Sequence, residues 1–324
     1  MDIRLSLQEL AEQYQLPPSA VDRLNELADT HAEPAGLRKV LPLGMAILSA
    51  ALLGLGIIFW IAANWESLSR AGRFGLLQVL IVTMCLGAVF RPTARPALGL
   101  LALLGIGALF AFFGQTYQTG ADPWQLFAIW AVLALPLCLA VRHDALWAPW
   151  ALVAMSAIAL WIHANAGHGW RVHGPDLPYH LAGWCVALLL VCALSPALRA
   201  YTGAGAWGMR VAVTLSTFII TWSGLASLFD DVLAPQYVAG LLVLSATAAA
   251  LCTKRFHDVF SLSAIALALN VLLIGGLSRL LLDNSRSEPI GQVMLIGLVA
   301  AGLLATTVKL VIGVARRLAQ GDQA

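Results

Sequence analysis

Apolar runs follow one another along this chain at about 41–63, 72–90, 97–113, 124–141, 145–162, 179–198, 206–228, 236–252, 259–278 and 290–315. Each is near the roughly 17–25 residues that a helix needs to cross a bilayer core. Within lipid the backbone must satisfy its own hydrogen bonds, so such runs are expected to be helices. Charged residues make up only 11% of the chain, against about 25% in soluble domains, too few for a surface bathed in water. The expected fold is all-α: a polytopic integral membrane helical bundle of about ten transmembrane helices, led by a short N-terminal cytosolic helical hairpin. Three regions follow: residues 1–40 as the amphipathic hairpin, 41–155 as helices one to five, and 156–324 as helices six to ten with a cytosolic tail. Links such as RPTARP (91–96) and RHDA (142–145) are short, which makes neighbouring helices antiparallel.

Orientation follows from the basic residues. With the N-terminus inside, the inner segments carry 14 Lys and Arg, among them Arg91, Arg95, Arg142, Arg199, Arg210, Arg316 and Arg317. The outer segments carry 5: Arg70, Arg73, Arg171, Arg279 and Arg286. Basic residues stay cytoplasmic, so both termini are expected there. The four helices that would start at the outer face all open on X-Pro, at Asp122-Pro123, Leu177-Pro178, Ala234-Pro235 and Glu288-Pro289. Proline suits a first helical position, where its missing N–H has no partner to lose. The 16 Arg against 3 Lys suggest a GC-rich bacterial genome, and hence the bacterial cytoplasmic membrane. No secretory signal peptide is expected, because the first 40 residues lack an apolar core.

Residues 5–30 are expected to form two short helices broken at Pro17-Pro18. Their phrase LAEQYQLPPSAVDRLNEL has the rhythm of a helix-turn-helix. Residues 1–35, however, carry seven acids and two arginines, a charge that phosphate would repel. With a net charge of only +2 for the whole chain, no nucleic-acid partner is expected. The hairpin is instead a candidate docking element for a protein partner.

Two phrases, NWESLSRAGR at 64–73 and GQTYQTGAD at 114–122, occur together. They resemble the signature segments of an uncharacterised bacterial membrane family, domain of unknown function 2157. Its members also tend to open with a short helical segment. The resemblance covers roughly residues 5–155; Thr116 stands where the family more often has an aliphatic residue. It implies a membrane architecture and leaves activity open.

By the parity of ten crossings, the polar phrases fall on the outer face. Asn64, Glu66, Gln115, Tyr117, Gln118 and Asp122 are the candidate lining of a polar vestibule, with Asp122 also suited to capping the fourth helix. Asn64 is equally suited to ending the first helix, Trp65 to anchoring at the interface, and Ser67 or Ser69 to capping the second. Glu66 can pair with Arg70 or Arg73. His163, His168, His173 and His180 are weak metal candidates, because their spacings of 5, 5 and 7 match no zinc signature; no metal or cofactor is expected. Within the membrane the polar exceptions are Asn270 and the stripe Thr214, Thr217, Thr221, for which helix packing is the default. No charge stands near the centre of a span, which weighs against a coupled pump. The small pairs Ala50/Gly54 and Gly107/Ala111 are candidate helix contacts. Cys85, Cys138, Cys185, Cys192 and Cys252 lie in apolar runs without a CxxC pair, and are expected to be buried hydrophobes.

Three functions are compatible with these features. One is binding or transport of a small polar solute or cation through the outer vestibule. Another is a scaffold or envelope sensor acting through the acidic hairpin. The third is an enzyme on lipid-linked substrates using Glu66 and Asp122; no P-loop, GxGxxG or Ser-His-Asp order supports nucleotide or nucleophilic chemistry.

Overall fold

The computed structural model describes residues 3–27, 35–64, 69–117, 120, 122–166, 172–229, 235–253, 258–283 and 289–320. Two short helices, α1 (Ile3–Gln13) and α2 (Pro18–Leu27), precede α3 (Ala35–Ala63), α4 (Arg70–Phe90), α5 (Arg95–Tyr117), α6 (Pro123–Val141) and α7 (Asp144–Asn165). Then come α8 (Leu177–Ala193), the one-turn α9 (Arg199–Thr202), α10 (Ala206–Ala226), α11 (Pro235–Leu251), α12 (Val259–Asp283) and α13 (Pro289–Gln320). No strand occurs among the described residues. Eight of these helices are long and apolar enough to cross a membrane, while α3 (over Leu41–Ile57) and α11 contribute shorter apolar stretches.

Every apolar run expected from the sequence coincides with one helix, but several ends move. The third run, expected to stop at 113, continues helically to Tyr117, because Gln115, Thr116 and Tyr117 are no barrier to one more turn. The sixth stops at Ala193 rather than 198: Leu194 leaves the helix, and a 3-10 turn at Pro196–Leu198 follows the proline that lacks an N–H. All four X-Pro sites stand at helix starts.

Two helices organise the packing. α5 lies against α3, α4, α6 and α7, and α10 lies against α7, α8, α11 and α12. The main core forms where α7, α8, α10, α11 and α12 meet, around Trp147, Met155, Trp184, Ile220, Leu244 and Leu272. Small residues permit the close approaches. On α5, Gly107 faces the Trp130 ring, which a Cβ would meet at 2.3 Å; the Trp130 indole donates to Leu103 O at 3.0 Å. Its expected companion Ala111 is exposed. Ala50 is buried, and Gly54 faces Leu101 and Leu104 across the α3–α5 contact. Gly276 on α12 accommodates the Tyr237 hydroxyl, which donates to Leu272 O at 3.0 Å.

Side-chain pairs set helix directions. Near the start of α10, Arg210 pairs with Asp258, just ahead of α12. Near its end, Gly224 meets Leu272, and Arg279 bonds Leu228 O. α10 and α12 therefore run parallel, and α11, joining the end of one to the start of the other, runs back against both. In the same way Gly208 meets Trp147 at the starts of α10 and α7, making that pair parallel. His180 beside Ser223 makes α8 antiparallel to α10. One end of the bundle thus gathers the ends of α7 and α10 with the starts of α8 and α11.

The cysteines depart from expectation. Only Cys138 is buried and Cys85 is half-buried, while Cys185, Cys192 and Cys252 are exposed. In a bundle whose outer surface is itself apolar, a cysteine in an apolar run can face outward as readily as inward. The same holds for α13, whose Ile290, Met294, Leu298 and Leu310 are all exposed.

Candidate ligand cavity

The polar phrase at 114–122 does not form a turn throughout. Gln115 and Tyr117 lie on the last turn of α5, both exposed. Tyr117 rests against Phe113, with ring centroids 4.8 Å apart, and against Phe74 at 6.0 Å. Asp122 takes the N-cap position of α6 in extended conformation, as expected, but its side chain makes no capping bond. Asn64 donates from Nδ2 to Trp60 O at 2.9 Å, meeting a carbonyl at the end of α3. Ser69 caps α4 by accepting from Gly72 N. Trp65, Glu66, Ser67 and Gln118, named as vestibule, anchor or cap candidates, and the proposed Glu66 pairing lie outside the described residues, as does His168.

The RHDA link at 142–145 does more than connect α6 to α7. Asp144 reaches across to the start of α10: its Oδ1 accepts from Gly205 N at 2.7 Å and Gly208 N at 3.3 Å, and its Oδ2 from Trp207 N at 2.9 Å. A carboxylate there satisfies otherwise orphaned N–H groups and suits the helix dipole. Arg142, in left-handed conformation, bonds the carbonyls of Ala200 and Tyr201. His143 caps its own helix by accepting from Ala145 N. Close by, Arg210 sits over the rings of Trp207 and Phe260, 5.5 Å from each centroid, and holds Asp258 at 2.8 Å. Burial pushes the Asp258 carboxyl up, but hydrogen bonds from Arg210 and Ser261 outweigh it and hold the group below the usual carboxylate range. Arg142, Asp144, Arg210 and Asp258 are thus each bonded within the protein.

At the opposite end α7, α8 and α10 enclose a cavity of about 490 Å³, within the roughly 300–1,000 Å³ typical of small-molecule sites. Apolar side chains from Met155, Leu160, Ile162, Leu215, Phe218 and Ile219 make most of its wall; Ser156, His163, His180 and Ser223 are polar groups in it, and among the described residues no Asp, Glu, Lys or Arg lines it. His180 is only 3% exposed. Its Nδ1 lies 3.1 Å from Ser223 Oγ, while its Nε2 is buried with no hydrogen-bond partner among the described residues. One turn along, Trp184 also carries a buried indole N–H with no partner among the described residues. On α11, Gln236 is fully buried; its Nε2 donates to His173 O at 2.6 Å, and its Oε1 has no partner among the described residues. Native interiors leave few such groups unmet; of these three, only His180 lines the cavity itself.

The four histidines therefore separate. His163 and His180 line the same cavity, whereas His173 joins α11 through its backbone. No group of three metal-ligating side chains occurs among the described residues. The intramembrane polar groups take packing roles. Thr214 bonds Arg210 O at 2.8 Å and Thr221 bonds Thr217 O at 2.7 Å, each one turn back on its own helix, and Thr217 is buried. Asn270 accepts from Thr307 Oγ1 at 3.1 Å, tying α12 to α13. Ser223 and Asp144 had no role in the sequence reading, and Arg210 served there only to set orientation. Only the last two carry a charge that could have marked them.

No curated protein and no solved structure matches the chain. The family match ends before the first cavity residue, Met155, so the cavity lies beyond it. The matched part, residues 8–147, spans less than half of the chain and contains both phrases singled out above; that segment matches the model of the family described as predicted membrane protein DUF2157, in keeping with a multi-pass membrane protein.

Proposed function

We propose that the chain crosses a bacterial cytoplasmic membrane ten times with both ends cytoplasmic, and that it binds a small molecule between α7, α8 and α10 near the outer face. The antiparallel return of α11 between two parallel helices supports its counting as a crossing, although it has only 17 residues. At about 1.5 Å per residue it is near 26 Å long, close to a bilayer core. The 29-residue α3 has length to spare. Arg91, Arg95, Arg142, Arg199 and Arg210 cluster at the end away from the cavity, which favours that end as cytoplasmic. Gln115, Tyr117 and Asp122, exposed, and the half-buried Asn64 then lie at the outer face.

The observation that carries the binding reading is a cavity of about 490 Å³ with the buried His180 in its wall. An apolar pocket with a few convergent polar groups is the usual form of a ligand site. Nothing among its residues favours covalent chemistry, so binding for transport or sensing takes precedence over catalysis. The protein, extracted from its own membrane into nanodiscs and examined by native mass spectrometry, should carry a small-molecule adduct. Ala159→Phe, which fills the cavity, should lose it. An adduct that persists undiminished in Ala159→Phe, or none in either protein, contradicts the reading. Accessibility tags at Gly120 and Ala324 should report opposite compartments; the same compartment for both would remove the ten-crossing arrangement.

A further inference from the structure

We infer that the cavity takes an uncharged, largely apolar molecule from the surrounding bilayer and holds it by a hydroxyl group that donates to Nε2 of His180. The inference rests on the binding reading above and adds the class of ligand and its route.

The tautomer comes first. Ser223 has one hydroxyl proton, and its Oγ donates to Ile219 O at 2.9 Å. Toward His180 Nδ1, at 3.1 Å, it can therefore offer only a lone pair, so Nδ1 carries the hydrogen. Among the described residues no carboxylate lines the cavity itself; Asp176 stands four residues ahead of His180, before the start of α8, and the neutral ring has its second nitrogen as an acceptor. Nε2 is thus a buried lone pair waiting for a donor. A carbonyl or ether oxygen would face it lone pair to lone pair. A hydroxyl satisfies it.

The rest of the ligand follows from the wall. Carbon supplies most of the lining, and among the described residues that line it neither a cation nor an anion would find an Asp, Glu, Lys or Arg as counter-charge. The route follows from α10. Phe218 is 62% exposed and Trp222 50% exposed, and their rings stack with centroids 6.1 Å apart at 24°. Both line the cavity and face away from the bundle, so in a membrane the mouth they flank meets acyl chains. A molecule dissolved in the bilayer reaches it without crossing water.

Tritiated farnesol and its methyl ether, which differ in the hydroxyl proton, provide the test. Saturation binding to the full chain in nanodiscs is measured with empty nanodiscs subtracted. The wild type should bind farnesol about 3- to 10-fold more tightly than the ether, the worth of one net hydrogen bond. His180→Phe keeps a ring and removes the lone pair, and should bind the two equally. Ser223→Ala is the second arm: it leaves Nδ1–H without its acceptor and frees the other tautomer, so the preference should fall to near parity while binding persists. Equal binding by the wild type overturns the hydroxyl–His180 contact but not the cavity. Saturable binding unchanged in Ala159→Phe places the probe elsewhere and overturns the inference. If neither probe binds the wild type, the ligand class is wrong, and the native mass adduct judges the cavity separately.

Discussion

Asp144→Ala removes the one carboxylate that closes the start of α10. Three backbone N–H groups lose their acceptor. Two of them, Gly205 and Gly208, are partly buried, and Trp207 N is more exposed. Hydrogen bonds to a charged acceptor contribute about 1.5–3 kcal/mol. The two partly buried bonds at the lower figure, with about 0.5 kcal/mol for the helix dipole, give a loss of about 3–4 kcal/mol. Asp144→Asn keeps one oxygen, which can still serve Gly205 and Gly208, and should cost about half as much. The close fit reinforces the argument: a Cβ on Gly205 would lie 2.3 Å from Asp144 Oδ2, so Gly205→Ala should approach the effect of Asp144→Ala, and the two together should not add. Reversible denaturant unfolding in detergent micelles measures all four proteins. A change below about 0.5 kcal/mol for Asp144→Ala, or full additivity with Gly205→Ala, would refute the idea that this carboxylate fastens α7 to α10.

Gly107→Ala and Gly276→Ala should each destabilise by about 1–3 kcal/mol, the usual cost of overpacking, because their new methyls meet the Trp130 ring and the Tyr237 hydroxyl; a lowered Tm in detergent checks both. Thr307→Val, which leaves Asn270 without its partner on α13, should weaken the α12–α13 contact by about 0.6 kcal/mol, read in the same unfolding assay. The Arg210–Asp258 pair predicts a pH effect with a definite sign. Since the folded carboxyl is held below its usual range, its contribution is complete above the ordinary value near 4 and disappears as pH falls through the lowered one. Acid destabilisation in that window should flatten in Asp258→Asn; an unchanged slope counts against the pair.

The sequence made the scaffold legible because lipid imposes a one-dimensional rule: a long apolar run is a helix. Pro123, Pro178, Pro235 and Pro289 marked helix starts for an equally local reason, the absence of an N–H. Helix ends were harder. Nothing local stopped α5 at Phe113, so Gln115 and Tyr117 joined its last turn. The site was less visible still. His180 read as the last of four weak metal candidates, although Leu177-Pro178 had set the helix start that turns it inward with Gly183, Trp184 and Ala187. Its partner Ser223 lies 43 residues away and is a small hydroxyl in an apolar run, with nothing to distinguish it. The Asp144 clasp shows the same limit, since its partners follow more than 60 residues later. Direction and burial arise from packing, and packing joins segments that periodicity treats one at a time.

The most direct measurement is a high-resolution cryo-EM map of the protein in nanodiscs prepared from its own membrane. The account predicts elongated non-protein density between α7, α8 and α10, behind Phe218 and Trp222, with a polar atom within about 3 Å of His180 Nε2. A cavity closed by its own side chains, or filled only by water with His180 bonded to another residue, would contradict it.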